Sequence, residues 1–536
     1  MVNLQNPSFV FHSETNSPGG VMQLIGNQSD LFVNFGPNVK NNHELTRQRG
    51  SIYGLPYATA FTETLRAGLI PPLTHLYGHF PGKPKNITEL KTLLQGSSRV
   101  ESQLVERQVS LAKATANVVH EGVVIGHAHE DSFGGVHFLD PHIPVVASKD
   151  TLETIRLKEE VSGNHKDEVF EVKRRDLPKE HGKLTIEERN IVPVDFEQPV
   201  ALGEFKKIVL HKADHLLGAA ITEVVLPNGG PRVVNMLDSG VGANTEKSIE
   251  TIWGAGDVDM LVLDATAIGG EKKYNEPKTN FRRALEERFE PYPKSSAFVE
   301  IPQRHMNRLV NLIEVAQKRG PKTKVYVPID MAYYARTLLP PEMQDAFEIY
   351  LPQRYSGQYV PTDYPAPYRG IAFRPDGQIN QGVLKVDEVA QVVASERALV
   401  VVDNPNHLMQ IAAAKDISHR RVSNATTGKP VSYQNLYISA GYNYQTQSST
   451  RATVDAAENA GLQFKEILIT DHIPEAQMQE YLLAMTSKTI LAVHTSNPES
   501  ARAFVRKIQP KANIPVISRS ALYEFTCSKG IRRVDI

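Results

Sequence analysis

The decisive stretch of this chain runs Gly126-His127-Ala128-His129-Glu130-Asp131-Ser132-Phe133-Gly134-Gly135. It follows the apolar run Val123-Val124-Ile125, which is typical of a buried strand. Sheets of α/β proteins place ligands at the carboxyl ends of their strands. Alternate side chains of an extended backbone point the same way, so His127, His129 and Asp131 are predicted to converge. Two imidazoles and a carboxylate suit zinc or manganese.

The specificity of this pattern comes from its parts taken together. With 18 histidines in 536 residues, chance gives roughly 0.6 His-x-His pairs in such a chain, so the pair alone is weak evidence. An aspartate two residues later, a strand before and two glycines after make the pattern more specific. Gly134 and Gly135 are expected to let the backbone pass close to the site. The alternative, surface histidines on a turn, stays open.

Strands and helices alternate on both sides of this stretch, which predicts a layered α/β fold. VMQLIG and DLFVNFG are strand-like, and residues 101–119 have the apolar spacing of an amphipathic helix. The strand IPVVAS and the helix KDTLETIRLKEEV follow. Further strands are predicted at FKKIVLHKADH, AAITEVVL, RVVNMLDSG and DMLVLDAT.

From about Gly269 the pattern changes and indicates a second α/β unit. Helices are predicted at FRRALEERF, HMNRLVNLIEVAQKRG and MAYYARTLL, and strands at KVYVPI, ALVVVDN, LYISAG, FKEILITDH and TILAVHTS. Residues 350–378 are rich in proline, tyrosine and glycine and predict a long ordered loop. The charge-rich residues 158–190 are interpreted as a solvated surface insertion.

Composition narrows the function classes. Hydrophobic residues make up 41% of the chain and charged residues 22%, as in a globular protein. The formal net charge is -1, so a nucleic-acid site must be a local basic groove. The single cysteine, Cys527, excludes a disulfide within the chain and a cysteine-rich zinc site, so a metal must rest on His, Asp and Glu. With no signal peptide and no membrane-length apolar run, we expect a cytoplasmic protein.

HAHEDSFGG resembles the His-x-His-x-Asp-His signature of the metallo-β-lactamase superfamily, and most closely its ribonuclease J-like group. Later segments are similar to the family's other motifs in the expected order. They are Asp214–Ala219 with His215, LDSGVG with Asp238, LVLDAT with Asp264, ITDHIPEAQMQEYL with His472, and LAVHTSNPES with His494.

The resemblance implies an αββα sandwich with an inserted α/β domain of the β-CASP type. The implied domains are residues 1–267 for the first part of the sandwich, 268–431 for the insertion, and 432–536 for the completion. Residues 37–120 are expected to be a helical insertion in the first part.

The resemblance also implies a hydrolase that cleaves RNA phosphodiester bonds with a metal-activated water. One or two zinc ions are implied, with manganese as an alternative. The implied metal ligands are His127, His129, Asp131, His215, Asp238 and His494, and the implied catalytic residues are Asp131, Asp238 and His472. RNA is the expected partner. The sequence does not decide whether the cleavage is exonucleolytic or endonucleolytic, or whether the chain forms a homo-oligomer.

Two residues depart from the family pattern. Ser132 stands where the signature has its last histidine, and Asn34 stands where the first motif has an aspartate. The resemblance therefore implies an intact three-histidine site and a weaker second site, because a serine hydroxyl is a poor zinc ligand. Loss of a supporting residue around a metal site typically costs about 10–100-fold in affinity or activity. A hydrolase of a small ester, lactone or phosphoester and a non-catalytic RNA-binding relative remain as alternatives.

The later motif residues also have structural alternatives. His215 and His494 are also typical of ordinary strand ends, and Asp238 before Ser-Gly also fits an Asx-turn. Asp264 also fits a helix N-cap, and His472 also fits the packing of a helix start. His305 is predicted to lie on the surface.

Overall fold

The structure is a computed structural model of the 536-residue chain. It describes residues 6–12, 21–36, 61–62, 64–65, 70–73, 75–78, 83–95, 102–162, 169–174, 185–269, 281–354, 358–403, 405–423, 427, 429–439, 448–467, 472–495, 497–517, 521–526 and 530–534. The chain has an α/β fold and divides into two compact units. Unit 1 comprises Met1–Glu159, Asn164–Lys273 and Asp471–Ile536, and unit 2 comprises Glu160–Gly163 and Tyr274–Thr470.

The first sheet of unit 1 has eight strands. In spatial order they are β25 (Gly530–Val534), β24 (Leu522–Thr526), β1 (Ser8–Phe11), β2 (Met22–Ile25), β3 (Ser29–Val33), β4 (Val119–Val124), β5 (Val145–Ser148) and β8 (Ile191–Val194). The strands from β3 to β8 run parallel, and the others pair antiparallel. The stretch that carries His127 therefore leaves the sheet at the carboxyl end of an interior parallel strand.

The second sheet of unit 1 has six strands. In spatial order they are β23 (Ser487–Val493), β13 (Val258–Asp264), β12 (Arg232–Met236), β11 (Ala220–Val225), β10 (Phe205–Lys212) and β9 (Val200–Leu202). β12, β13 and β23 are parallel neighbours, so their carboxyl ends share one edge. The charge-rich residues 158–190 contain a separate hairpin of β6 (Glu171–Arg174) and β7 (Thr185–Glu188).

Helices lie before, between and after these strands. They are α1 (Ile87–Gln95), α2 (Ser102–Ala114), α3 (Glu130–Phe133), α4 (Lys149–Ser162), α5 (Ala243–Gly254), α14 (Glu475–Ala484) and α15 (Pro498–Ile508). α1 and α2 lie within the predicted helical insertion at residues 37–120. Residues 37–60 of that insertion lie outside the described part of the chain.

Alternation along the strands builds unit 1 in layers, because successive side chains of a strand face opposite ways. In β3, Leu31 and Val33 join a core that contains strand residues of both sheets, whereas Phe32 joins a core with α1 and α2. In β13, Met260 and Val262 join the shared core, whereas Leu261 and Leu263 join a core with α5, α14 and α15. The two sheets thus pack face to face, and helices cover the outer face of each.

Unit 2 contains a seven-stranded sheet in which every pairing is parallel. In spatial order its strands are β17 (Val383–Lys385), β16 (Glu348–Leu351), β15 (Thr323–Pro328), β18 (Arg397–Val402), β14 (Ala297–Glu300), β21 (Leu436–Ser439) and β22 (Gln463–Glu466). A hairpin of β19 (His419–Ser423) and β20 (Pro430–Gln434) stands apart from it.

The helices of unit 2 alternate with its strands, as parallel pairing requires. They are α6 (Phe281–Phe289), α7 (Met306–Lys318), α8 (Ile329–Leu338), α9 (Pro341–Gln344), α10 (Ala366–Ala372), α11 (Val386–Ser395), α12 (Pro405–Ala414) and α13 (Ser448–Asn459). Side chains of α11, α12 and α13 pack with Phe298, Val400 and Tyr437 in one core.

Three details differ from the sequence predictions. The predicted return to the first domain at residue 432 lies instead after Thr470, because β21 pairs with β14 and β22 pairs with β21. Residues 350–378 are not wholly a loop, since α10 lies within them. His305 is buried rather than on the surface. In each case the local sequence does not specify the strand partner or the burial of a side chain, because both depend on tertiary contacts.

Within the described residues, no helix is both long and apolar enough to cross a bilayer.

A buried ionic network joins the strands of the second sheet. Glu223 of β11 is 2% exposed and pairs with Arg232 at 3.0 Å, with Lys207 at 2.7 Å and with His211 at 3.1 Å. Burial alone would raise the pKa of Glu223, but the contacts with His211, Arg232 and Lys207 hold that pKa far below its ordinary 4.5. A carboxyl whose pKa is lower in the folded state stabilises the fold above its unfolded pKa and loses that contribution as pH falls.

We therefore expect Glu223→Gln to destabilise the protein by about 3–5 kcal/mol at pH 7, because Arg232 loses a buried partner. Urea unfolding at pH 7, 5, 4 and 3 tests this. The stability difference between wild type and Glu223→Gln should be largest at pH 7 and shrink as pH falls below about 4.5. A difference that is unchanged at pH 3 would contradict the assigned ionisation.

Candidate metal centre

The segment after β4 carries three of the predicted ligands, but not in the predicted conformation. β4 ends at Val124, the chain bends at His127, and α3 begins at Glu130. Asp131 therefore lies in a helical turn, and the prediction of three alternating side chains on extended backbone was wrong for this residue. Its carboxylate nevertheless approaches His127, with His127 Nε2 3.9 Å from Asp131 Oδ1.

Three imidazoles meet at the first cluster. His127 Nε2 lies 3.0 Å from His129 Nδ1, and His129 Nδ1 lies 3.3 Å from His215 Nε2. Two ligands at about 2.0–2.1 Å from one tetrahedral ion stand roughly 3.3 Å apart, so this spacing fits zinc. Burial lowers the pKa of His127 to about 4, so its imidazole is neutral at physiological pH and able to ligate.

The loop after β3 fixes the direction of the His127 segment. The Asn34 side-chain oxygen accepts a hydrogen bond from Gly126 N–H at 2.9 Å, and the Asn34 backbone is left-handed with φ 58°. Asparagine adopts that conformation more readily than most residues. Gly36 lies against α3, where a Cβ would come within 2.0 Å of the Asp131 carbonyl group. Phe35 adds backbone hydrogen bonds to Ser132 O and from Gly135 N–H.

His215 is held by a loop that is closed at both ends. Asp214 accepts a hydrogen bond from Thr245 N–H at 2.8 Å at the start of α5. The Gly218 carbonyl accepts hydrogen bonds from the hydroxyls of Ser148 at 2.7 Å and Thr151 at 2.8 Å. Gly218 has φ +85°, a conformation that other residues rarely adopt. The predicted ligand thus stands on anchored backbone rather than on a free strand end.

The second cluster lies where the parallel strands of the second sheet end. It groups Asp238 after β12, Asp264 at the end of β13, His494 after β23 and His472 before α14. The backbones of Asp238 and His494 are left-handed, with φ 54° and 59°. Such strain in non-glycine residues costs free energy and is typical of functional sites. All four side chains are buried.

The Asp264 carboxylate joins the members of this cluster. Its Oδ2 lies 2.6 Å from His472 Nδ1 and accepts a hydrogen bond from Asp238 N–H at 3.2 Å. Its Oδ1 lies 3.3 Å from His494 Nδ1 and accepts hydrogen bonds from the backbone and hydroxyl of Thr266. No helix starts at Asp264, so the helix N-cap alternative was wrong. Asp264 instead fixes the orientation of two imidazoles.

Asp131 and Asp238 face both clusters. Asp238 Oδ2 lies 3.8 Å from His127 Nε2, and Asp238 Oδ1 lies 3.6 Å from His472 Nδ1 and 3.8 Å from His494 Nδ1. Asp131 Oδ2 lies 3.8 Å from His494 Nε2. These distances are too long for hydrogen bonds. Among the described residues, the buried Asp131 Oδ1 and His494 Nε2 have no hydrogen-bond partner. A buried polar atom without a partner is costly, and both atoms fit a metal ion.

Electrostatics separate the two clusters. Burial alone would lower the pKa of His494, but Asp238 and Asp264 raise that pKa well above its ordinary value. Burial would likewise lower the pKa of His472, but Asp264 raises it. Burial would raise the pKa of Asp131, but His494 and His127 hold it at about 2. The carboxylates of the second cluster thus favour the protonated form of both imidazoles, and a metal ligated by His494 would have to displace a proton.

Ser132 supports the first cluster. Its hydroxyl is buried and lies 3.0 Å from His127 Nδ1, on the opposite side of the ring from the nitrogen that faces His129. A ligating histidine usually donates its other N–H to such a partner, which fixes its tautomer and ring orientation. From the sequence, Ser132 was interpreted only as a missing ligand, and its contact with His127 was not predicted.

The structure brings all predicted ligands, and His472, into one region of unit 1. Sequence analysis did not single out Thr266, whose hydroxyl lies 2.6 Å from His494 Nδ1. Its position two residues after Asp264 at a strand end was the available signal. His305 belongs to unit 2.

Comparison with known proteins adds a fold but no function. No family model matches the chain. No curated protein matches it either. Among solved structures, the chain is similar to the crystal structure of a protein of unknown function from Enterococcus faecalis V583. The two share 15% sequence identity with a TM-score of 0.60, over 96% of this chain and 99% of that chain. At that identity the likeness concerns the fold alone.

Gly36→Ala tests how the loop after β3 positions Asp131. The added Cβ meets backbone atoms, which cannot rotate away, so we expect a loss of about 1–3 kcal/mol of stability and less bound metal. Thermal unfolding and metal analysis measure both effects. Gly254→Ala is the control, since a Cβ there meets nothing within 4 Å in α5. Equal behaviour of the two variants would contradict the close approach.

Ser132→Ala tests the support of His127. We expect metal affinity to fall by about 10–100-fold with little change in stability, because the variant removes only the hydroxyl beside Nδ1. Competition with a metal chelator gives the affinity. Ser132→Thr keeps a hydroxyl and should retain most of the affinity. If Ser132→Ala binds metal as wild type does, the hydroxyl does not orient the ring.

Proposed function

We propose that this chain is a metal-dependent hydrolase of RNA phosphodiester bonds, resembling ribonuclease J of the metallo-β-lactamase superfamily. The observation that carries the proposal is the meeting of two ligand clusters in one buried region. The first is His127, His129 and His215, and the second is Asp238, Asp264, His472 and His494. Two adjacent ion sites suit phosphoryl chemistry, where both the attacking and the leaving oxygen need stabilisation.

The architecture supports the family assignment. Unit 1 has two face-to-face sheets covered by helices, as an αββα sandwich requires. Along the sequence, the main segment of unit 2 follows Lys273 and precedes Asp471 of unit 1, as expected for a β-CASP-type insertion. Because this fold serves many reactions, the functional argument rests on the site.

The residues present fit two ions of unequal affinity. His127, His129 and His215 would hold the first, and Asp131, Asp238 and His494 would hold the second. The second should bind more weakly, because Ser132 supplies no imidazole and His494 has to lose its proton. When bound, an ion would lower the pKa of a coordinated water toward about 7 and polarise the phosphoryl oxygen.

The protein's own groups supply the remaining chemistry. Asp131 and Asp238 face both clusters, so either carboxylate would orient the attacking water and accept its proton. Asp264 contacts His472 Nδ1 and raises the pKa of that ring, which favours its protonated form and leaves the opposite edge of the ring for a substrate. A cationic His472 would contact the scissile phosphate and stabilise the charge that develops there.

The test is cleavage of 5′-monophosphorylated RNA by purified protein with added Mn²⁺ or Zn²⁺, together with the metal content of each sample. We expect His127→Ala to lose metal and at least about 100-fold in rate, since it removes a ligand from the complete cluster. His472→Ala should keep its metal and lose rate. His142→Ala is the matched control, because that imidazole is 86% exposed and outside the site.

The outcomes separate the alternatives. Wild type without zinc or manganese, and with RNA cleavage equal to that of His127→Ala, would defeat the enzyme proposal. Retained metal, no RNA cleavage and hydrolysis of a lactone or phosphoester that depends on His127 would favour a small-substrate hydrolase instead.

A further inference from the structure

Three arginines gather at the amino-terminal edge of the parallel sheet of unit 2. Arg319 follows α7 and precedes β15, Arg397 begins β18, and Arg420 lies in β19. All three approach one short backbone stretch before β14. Arg319 Nη2 donates to Ser295 O at 2.7 Å, Arg397 Nη1 to Pro293 O at 3.2 Å, and Arg420 Nη1 to Lys294 O at 2.5 Å. We call these three side chains the arginine cluster.

The arginine cluster donates hydrogen bonds to backbone carbonyls and forms no ion pair with a carboxylate among the described residues. In the described part of the chain, no aspartate or glutamate forms an ion pair with any of the three. Arg319 Nε and Nη1 and Arg420 Nε are buried without any hydrogen-bond partner there. Native proteins rarely leave buried charged donors unsatisfied, because the desolvation cost is not recovered.

Like charge makes the arrangement costlier still. Burial, together with the neighbouring Arg397 and Arg420, lowers the pKa of Arg319 to about 10. Burial and Arg397 also lower the pKa of Arg420, although Tyr433 and Glu396 oppose part of that shift. Arginine is otherwise the side chain least inclined to lose its charge. The fold thus holds three cations together, and an anion among them would offset their repulsion.

A surface groove lies beside the cluster, with a volume of about 510 Å³. Arg319 and Arg397 line it, and the Arg319 guanidinium stacks on Phe289 with 4.2 Å from its carbon to the ring centre. The stacking fixes the plane of the guanidinium, so little side-chain entropy remains to be lost on binding. The cluster is therefore preorganised next to space for a ligand.

The acidic wall of the same groove is already neutralised at two positions. Glu286 pairs with Lys318 at 2.9 Å, and Glu287 pairs with Arg283 at 3.0 Å. Glu290 also lines the groove but is exposed, and it forms no ion pair with the cluster. The uncompensated positive charge of the groove therefore lies on the side of Arg319 and Arg397.

We propose that the arginine cluster is a binding site for a phosphate group. Several guanidiniums around one anion match the charge and the multiple acceptor oxygens of phosphate better than a single carboxylate does. The group can come from a free phosphoanion or from the backbone of a single-stranded RNA. The site contains none of the metal-centre residues, so a test of phosphate binding does not depend on the proposed hydrolase activity.

The experiment measures binding of pyrophosphate by calorimetry and of a labelled single-stranded oligouridylate by fluorescence anisotropy, with the full chain and no added metal. We expect Arg397→Gln, which removes a guanidinium that lines the groove, to weaken binding at least about tenfold, the effect of losing one charge-assisted contact. Arg283→Gln is the matched control, because it removes a positive charge from the same groove at an ion-paired position. Circular dichroism confirms that each variant is folded.

The arms distinguish the sources of phosphate. RNA binding that pyrophosphate displaces and that Arg397→Gln weakens supports the RNA backbone. Pyrophosphate binding that depends on Arg397, with RNA binding that does not, supports a free phosphoanion. The proposal is overturned if wild type binds neither probe, or if Arg283→Gln weakens binding as much as Arg397→Gln does. Metal content should stay unchanged in all of these variants, whatever the fate of the hydrolase proposal.

Discussion

The buried carboxylate of Asp264 holds the candidate metal centre together. It is 2% exposed and engages His472, His494, Thr266 and the backbone of Asp238. An ionised carboxylate at such depth is costly unless charged and polar partners satisfy it. Burial would raise its pKa, but His472 and His494 hold that pKa well below its ordinary value. Each histidine thereby gains a fixed orientation, which a ligand set needs before an ion arrives.

The two clusters differ in the way they are prepared for a ligand. At the first, burial keeps His127 neutral, and Ser132 and Asn34 supply neutral hydrogen bonds around it. At the second, carboxylates and imidazoles are already paired, so a ligand must compete with existing ion pairs. This contrast is a physical reason for the unequal metal affinities that we propose. Ser132 and Asn34, the two departures from the pattern that the sequence resembles, each form a hydrogen-bond contact at the first cluster.

Unit 2 presents a different electrostatic problem. Two of the three glutamates that line its groove, Glu286 and Glu287, form ion pairs, whereas the arginine cluster donates hydrogen bonds to backbone carbonyls. The net charge of -1 for the whole chain conceals this local imbalance. A chain that is neutral overall can therefore still present a site for polyanions, because association depends on local potential rather than on the total.

The sequence alone predicts the α/β pattern and the candidate ligands, because strand periodicity and the residues at strand ends are local properties. The apolar runs at β3, β4, β13 and β23 were visible in this way. Three features became clear only in the folded chain. Asp131 lies in α3 near His127, Asp264 orients two histidines rather than capping a helix, and β21 and β22 belong to unit 2. The last two depend on contacts between residues far apart in the chain, and a strand's own sequence does not specify its neighbour.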